Sequence, residues 1–203
     1  MSAAARTSTR DIARAAVRSQ LAAVALELFR REGFEKVTLD DLAAAAGVSR
    51  STFLRYFGTK EEAVLAAFDA HGDQAADALR ARPADEDDWT ALRRALDTVI
   101  DRYREDPARA LATTRLVRAT PALCARQLEK QHGWRPALAR ALAERAGSAE
   151  PAEPAEPASL SQTVRAAAAL DCLNVAVDHW TASEGRLDLV ALLDEAFAAL
   201  SPR

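Results

Sequence analysis

The chain reads as an all-α protein in two parts, a small N-terminal three-helix domain and a larger C-terminal helical domain. Three observations predict this. Alanine supplies 49 of the 203 residues, about half of the 49% apolar share. Alanine favours helix and buries little area, so the core must form between helices whose backbones approach closely. Charge is divided along the chain: residues 1–60 hold ten Lys/Arg against six acids, a balance of +4, and residues 61–203 hold 17 against 24, a balance of −7. A basic head on an acidic body suits a protein that presents one end to phosphate. Finally, residues 29–65 read as two short helices joined by a Gly-centred turn, then a basic-aromatic step into a third helix. That is a helix-turn-helix, whose second short helix enters the DNA major groove.

The N-terminal elements follow in order. Residues 1–9 form a Ser/Thr/Arg-bearing arm. From Arg10 to Arg31, Ile12, Ala16, Leu21, Val24, Leu28 and Phe29 trace a helical stripe that Gly33 ends. Thr38 can cap the next helix, with Asp41 as its capping-box partner. Leu39, Leu42, Ala43 and Ala46 share that helix's inner face, and Gly47 sits where the chain must turn sharply. Ser49 is a natural N-cap for a helix from Arg50 to about Phe57. Phe53 and Phe57, four apart, anchor it to the core. Its opposite side carries Ser51, Leu54 and Arg55, with Thr52 beside them and Arg50 at the helix start.

The spacing of Thr38, Leu42, Ala43, Ala46, Gly47, Val48, Ser49, Thr52, Phe53, Tyr56, Phe57, Lys60 and Glu61 resembles the N-terminal domain of TetR-family transcriptional regulators. The resemblance covers roughly the first third of the chain. It implies an all-α homodimer with a helix-turn-helix DNA-binding domain and a larger C-terminal domain for ligand binding and dimerisation. It places those domains at residues 1–58 and 59–203. Carried over by position, Arg50, Ser51 and Thr52 would touch bases or nearby phosphates, with Ser49, Leu54 and Arg55 on the same surface. Thr38, Tyr56 and Lys60 would clamp the DNA backbone. Leu54 stands where the family more often has an aromatic residue; it can contact a thymine methyl but cannot donate a hydrogen bond.

Beyond the head, Thr59 caps a predicted long helix to about Arg80, broken by Pro83. Asp85–Asp88 open another, with Leu92, Leu96, Val99 and Tyr103 on one side and Asp106-Pro107 at its end. A helix over Ala108–Arg118 follows. Thr120-Pro121 starts a further one, with a kink or break expected at Gly133–Pro136. Residues 148–159 repeat Glu-Pro-Ala and read as a linker. Two last helices, about Leu160–Glu184 and Leu187–Leu200, are apolar around too much of their circumference for one buried face. Val175, Leu189, Leu193 and Phe197 therefore predict a homodimer, and the resemblance places these two helices in an intermolecular four-helix bundle.

No catalytic constellation is present: His71, His132 and His179 are scattered, and no metal-ligand spacing or glycine-rich phosphate loop occurs. The reading is of a non-enzyme without metal or cofactor. No apolar run is long enough to span a membrane, and Cys124 and Cys172 fit no metal spacing, so a cytoplasmic protein with reduced thiols is expected. Polar residues in an Ala/Leu/Val bundle are the usual lining of a ligand cavity. The candidates are Tyr103, Arg115, Gln127, Gln131, Trp134, Asp171 and Asn174, with Arg115 as the partner for an anionic group. The segment Arg115–Arg145 is similar to a TetR branch described as having an acyl-CoA-like ligand-binding domain, which implies an apolar or acyl-type small-molecule effector. Two readings stay open: a ligand-responsive repressor of a double-stranded DNA operator, and a helical small-molecule-binding module without specific DNA binding.

Overall fold

A computed structural model of the chain describes residues 8–147 and 158–200. The expected arm and Glu-Pro-Ala linker lie almost wholly outside the described residues. Within them the fold is helical throughout, with no strand. The chain divides into two compact units. The first runs through Ala67 and includes Leu116–Cys124; the second comprises Phe68–Arg115 and the chain from Ala125 onward.

In the first unit, α1 (Thr9–Glu32) supports α2 (Leu39–Ala45), α3 (Arg50–Phe57) and α4 (Lys60–Leu65). Phe29, Leu42, Phe53 and Leu65 are essentially sealed from solvent, and each contributes about 1.5–3 kcal/mol by burial. Phe29 meets Phe34 at 5.0 Å between ring centroids, and Phe53 meets Phe57 at 5.1 Å. The fourth helix, expected to open the second domain, packs instead on α1 and α3 and completes the first unit.

The second unit holds α5 (His71–Arg80), α6 (Asp88–Ala95), α7 (Asp97–Glu105), most of α8 (Pro107–Ala119) and of α9 (Pro121–Gly147), α10 (Leu160–Ala182) and α11 (Leu189–Ala199). The single helix expected from Thr59 to Arg80 is interrupted by a 3₁₀ turn at Ala66–Phe68. No Pro or Gly marks the spot. Phe68 and His71, three apart, both point inward and meet edge-on at 5.5 Å, the eclipsed i, i+3 relation that tighter winding provides. The helix expected from Asp85–Asp88 to Asp106-Pro107 likewise divides at Leu96. There the Thr98 hydroxyl donates to the Ala95 carbonyl at 2.9 Å and the Val99 N–H turns to Leu96.

The ninth helix runs unbroken through Gly133 and Pro136, contrary to the expected interruption. Trp134, Leu138, Ala139, Ala141 and Leu142 are all buried along it, and that burial outweighs one missing backbone hydrogen bond. Arg145, near its end, is itself buried. Its guanidinium donates to four carbonyls, those of Leu79, Arg82, Pro83 and Glu86, closing the α5–α6 connection. The last two helices pack closely on each other, and Leu189, Leu193 and Phe197 face the interior of the same chain. Those three residues are thus corrected: they do not await a second chain, whereas Leu160, Val164, Val175 and Leu200 are exposed.

Candidate DNA interface and effector domain

The helix-turn-helix is fixed at three joints. Thr38 caps α2: its hydroxyl accepts from the Asp41 N–H at 3.2 Å, while Thr38 N–H and Oγ1–H donate to the Asp41 carboxylate at 2.9 and 2.7 Å. These donors hold the Asp41 carboxyl below its ordinary pKa. The turn is made by Gly47 at φ +66°, with the Val48 N–H reaching back to the Ala43 carbonyl and the Gly47 N–H to Ala44. This pairing satisfies the last carbonyls of α2 and requires the left-handed conformation that glycine adopts freely. Ser49 then caps α3 by accepting the Thr52 N–H at 3.1 Å.

The buried side of α3 carries Phe53 and Phe57; Ser49, Arg50, Ser51 and Arg55 are exposed, and Thr52, Leu54 and Tyr56 half-buried. Ser49 Oγ lies 2.9 Å from Thr52 Oγ1 and 3.0 Å from Ser51 Oγ, so the three hydroxyls form one connected edge at the helix start. Arg50 reaches Asp40 at 3.3 Å in an exposed pair. The Arg55 guanidinium lies 5.9 Å from the Tyr56 ring.

Lys60 is more engaged than its expected clamp role suggests. Its ammonium donates to the Phe34 carbonyl at 3.0 Å and stands 4.3 Å over the Phe34 ring. Thr38 is similarly occupied, since its hydroxyl proton points to Asp41. Arg18, not singled out from sequence, donates to the Tyr56 carbonyl at 3.3 Å and covers the Phe57 ring at 5.2 Å. Its place on the polar side of the α1 stripe carried no signal of that contact.

The seven effector candidates do not gather in one place. Gln127, Gln131 and Trp134 are buried on one face of α9. Tyr103 is buried edge-on to Trp180 at 5.5 Å. Asn174 is half-buried, and Asp171 is exposed, 3.9 Å from Arg135. Arg115 is exposed and pairs with Glu184 at 3.3 Å, so its charge is met by a surface acid and not by a cavity. Just past the end of α10, Glu184 at φ +60° and Gly185 at φ +76° make a left-handed exit that brings this carboxylate to Arg115. Sequence reasoning missed His71, which is buried, meets Trp134 at 6.0 Å and has its pKa pushed down to about 4, chiefly by burial. Its single occurrence in a helical stripe gave no sign of that burial. A groove of about 470 Å³ lies between α6 and α11 beside Trp89 and Phe197, but its Arg93 already pairs with Asp97 and Asp194 at 2.6 Å each.

Comparison with known proteins agrees with this arrangement. Residues 21–67 match the family described as bacterial regulatory proteins, tetR family, and residues 86–203 match the MftR C-terminal domain. The protein of Mycobacterium tuberculosis assigned as the mycofactocin biosynthesis transcriptional regulator MftR is 31% identical over 174 residues, 86% of this chain and 84% of that one. The chain belongs to the TetR family of bacterial transcriptional regulators. Within the TetR family it is also 38% identical to the regulator TcmR of Streptomyces glaucescens, over 64% of this chain and 60% of that relative's length. The fold is that of the fatty acid degradation regulator FadR from Bacillus halodurans, with a TM-score of 0.61 at 20% identity, covering 91% of this chain and 94% of that one. No described helix is long and apolar enough to cross a membrane, and no described group of His, Cys, Asp and Glu could hold a metal ion.

Proposed function

We propose that this TetR-family chain is a homodimeric, ligand-responsive repressor that leaves its operator when a small molecule binds the C-terminal domain. The observation that carries the reading is the exposed edge of α3. Three linked hydroxyls and two arginines stand on a helix whose other side is anchored by Phe53 and Phe57, within a basic N-terminal stretch. Such an edge offers the donors that read base edges and phosphates in a major groove. In this reading Arg50, Ser51, Thr52 and Arg55 face the groove with Leu54 against a thymine methyl. Ser49, Thr38, Tyr56 and Lys60 flank it toward the backbone, Thr38 by turning its hydroxyl away from Asp41.

Release by an effector requires only that the ligand bind one state of the protein better than the DNA-bound state. The buried polar groups of α5 and α9 supply the reason to expect such a ligand. Arg115, paired at the surface, drops out of the proposed site. The dimer is supported by exposed Leu160, Val164 and Val175 on α10.

The test is operator affinity of the full chain at several salt concentrations, with and without a candidate effector. A repressor loses affinity steeply with salt, because phosphate contacts release counterions. Salt-independent or absent binding to the chain's own promoter DNA would leave the binding-module reading instead.

A further inference from the structure

We infer that the C-terminal domain holds a neutral, ring-bearing ligand with hydroxyl or amide groups in a niche formed by His71, Gln127, Gln131 and Trp134. This rests on the effector-responsive reading above and specifies the chemistry of that site.

Gln127, Gln131 and Trp134 recur at i, i+4 and i+7, on a face of α9 otherwise made of Leu123, Leu138 and Leu142. Leucines throughout would pack that face without desolvating any amide. Both glutamines are more than nine-tenths buried, as is His71. Gln127 Oε1, Gln131 Oε1 and His71 Nδ1 are all sealed from solvent without a hydrogen-bond partner in the described structure. Leaving one such atom unpaired is unfavourable, so three in one region call for a molecule that supplies the missing bonds.

His71, Gln131 and Trp134 share one seam, and Gln127 stands one turn before Gln131 on the same buried face of α9. Lys130 pairs with Asp69 at 2.6 Å, and Trp134 lies against His71 and Gly72, so residues 130–134 run beside 69–72. Gly72 is required there, since a Cβ would stand 2.3 Å from a Trp134 ring atom. The rings of Phe68, His71 and Trp134 meet edge to face at 5.5 and 6.0 Å and supply an aromatic wall.

Charge selects the ligand. Burial keeps His71 neutral near pH 7, and carboxamides are uncharged. Lys130 pairs with Asp69 at 2.6 Å, whereas Arg102 and Arg135 stand 3.7 and 3.9 Å from Glu105 and Asp171 in pairs open to solvent. The unpartnered amide oxygens are acceptors, and an anionic head group brings them no donor. A neutral aromatic bearing O–H or N–H groups instead stacks on the wall and meets the glutamine oxygens.

The test is calorimetric titration of the full chain at pH 7 with 2-naphthol, naphthalene and 2-naphthoate. 2-Naphthol should bind at least about tenfold more tightly than either of the others. Gln127→Leu and Gln131→Leu should each weaken 2-naphthol about fivefold, one hydrogen bond's worth, while leaving naphthalene unchanged. Thermal melts of both variants check that they fold. Equal affinity for all three probes, tightest binding of 2-naphthoate, or unchanged 2-naphthol affinity in both variants would overturn the niche. So would no binding of any probe, whatever the stability of the two variants. Operator binding is measured separately. A chain that binds its operator and is released by some other compound, but ignores 2-naphthol, refutes the niche and leaves the regulator reading standing. Loss of all operator binding refutes that reading whatever the probes do.

Discussion

At the scale of single residues, the side chains expected to grip DNA differ in what already occupies them. Arg50 holds Asp40 in an exposed pair at 3.3 Å, an interaction worth about 0–1 kcal/mol and easily exchanged for a base edge. Arg50→Ala should therefore weaken operator binding by about 1–3 kcal/mol and relax sequence preference, with little change in melting temperature. Lys60 also ties the Phe34 carbonyl, so Lys60→Ala should weaken all DNA about equally, reduce the salt slope and lower the melting temperature as well. Fluorescence anisotropy on specific and scrambled duplexes, beside thermal melts, separates the two; identical profiles would reject this division of roles. His71 makes a different kind of prediction. Its folded pKa of about 4 lies below the ordinary 6.5 because burial disfavours the cation, and Arg102 acts in the same direction against Asp69. Between those values the unfolded chain binds a proton that the folded chain refuses, so stability contributed by neutral His71 is full above pH 6.5 and falls as pH drops toward 4. The total is on the order of 3 kcal/mol. Urea unfolding at pH 7.5 and 5 should show a larger acid loss for the parent than for His71→Gln; parallel losses would refute it.

At the scale of elements, the sequence was most legible where local chemistry decides. The Thr38–Asp41 capping box, the Gly47 turn, the Ser49 cap and the Thr120-Pro121 start all lie where residue types alone placed them. Legibility failed where tertiary packing overrides pattern. Nothing in the Ala-rich run from 59 to 80 signals the 3₁₀ turn, because its cause is the inward direction of Phe68 and His71. Pro136 carried a strong breaker signal, yet the buried Trp134–Leu142 face holds α9 continuous. The effector candidates were legible as polar residues in an apolar bundle. Which of them is interior was not, because neither the i, i+4 spacing of Gln127 and Gln131 nor the charge of Arg115 reveals what stands opposite. Arg145 illustrates the same gap: one arginine among many in sequence, it closes the α5–α6 connection through four carbonyls. Arg145→Ala should destabilise the C-terminal unit by about 2–4 kcal/mol, since hydrogen bonds to a buried charged group are among the stronger ones and the carbonyls would lose their donor. Denaturant unfolding would show this as a lower midpoint; a midpoint unchanged within error would mean that water replaces the guanidinium without loss.

At the scale of the whole molecule, the question is which apolar surface joins two copies. Leu193 and Phe197 are inside the chain, with Phe197 stacked on Trp89 at 4.4 Å. A Glu at either site would bury a charge among apolar side chains and unfold the protein, so it reports nothing about assembly. Among the exposed apolar residues, Leu160, Val164 and Val175 stand on α10, and Leu187 and Leu200 flank α11. Residues 164 and 175 are eleven apart, three helical turns, and so lie on one face. That face, doubled by a two-fold axis, supplies the self-complementary patch a homodimer needs. In the proposed dimer two recognition helices meet the operator, and a specific site is read by both at once. Replacing Val164 and Val175 together with Glu should leave the helical circular dichroism and melting temperature near those of the parent, because both side chains are half-exposed in one chain. The variant should sediment as a monomer at micromolar concentration where the parent sediments as a dimer. Operator affinity should fall at least about a hundredfold, because loss of the second half-site removes the gain from tethered binding. A double-Glu variant that still sediments as a dimer would move the interface off this face of α10. One that is monomeric yet binds operator at parental affinity would mean that a single recognition helix suffices.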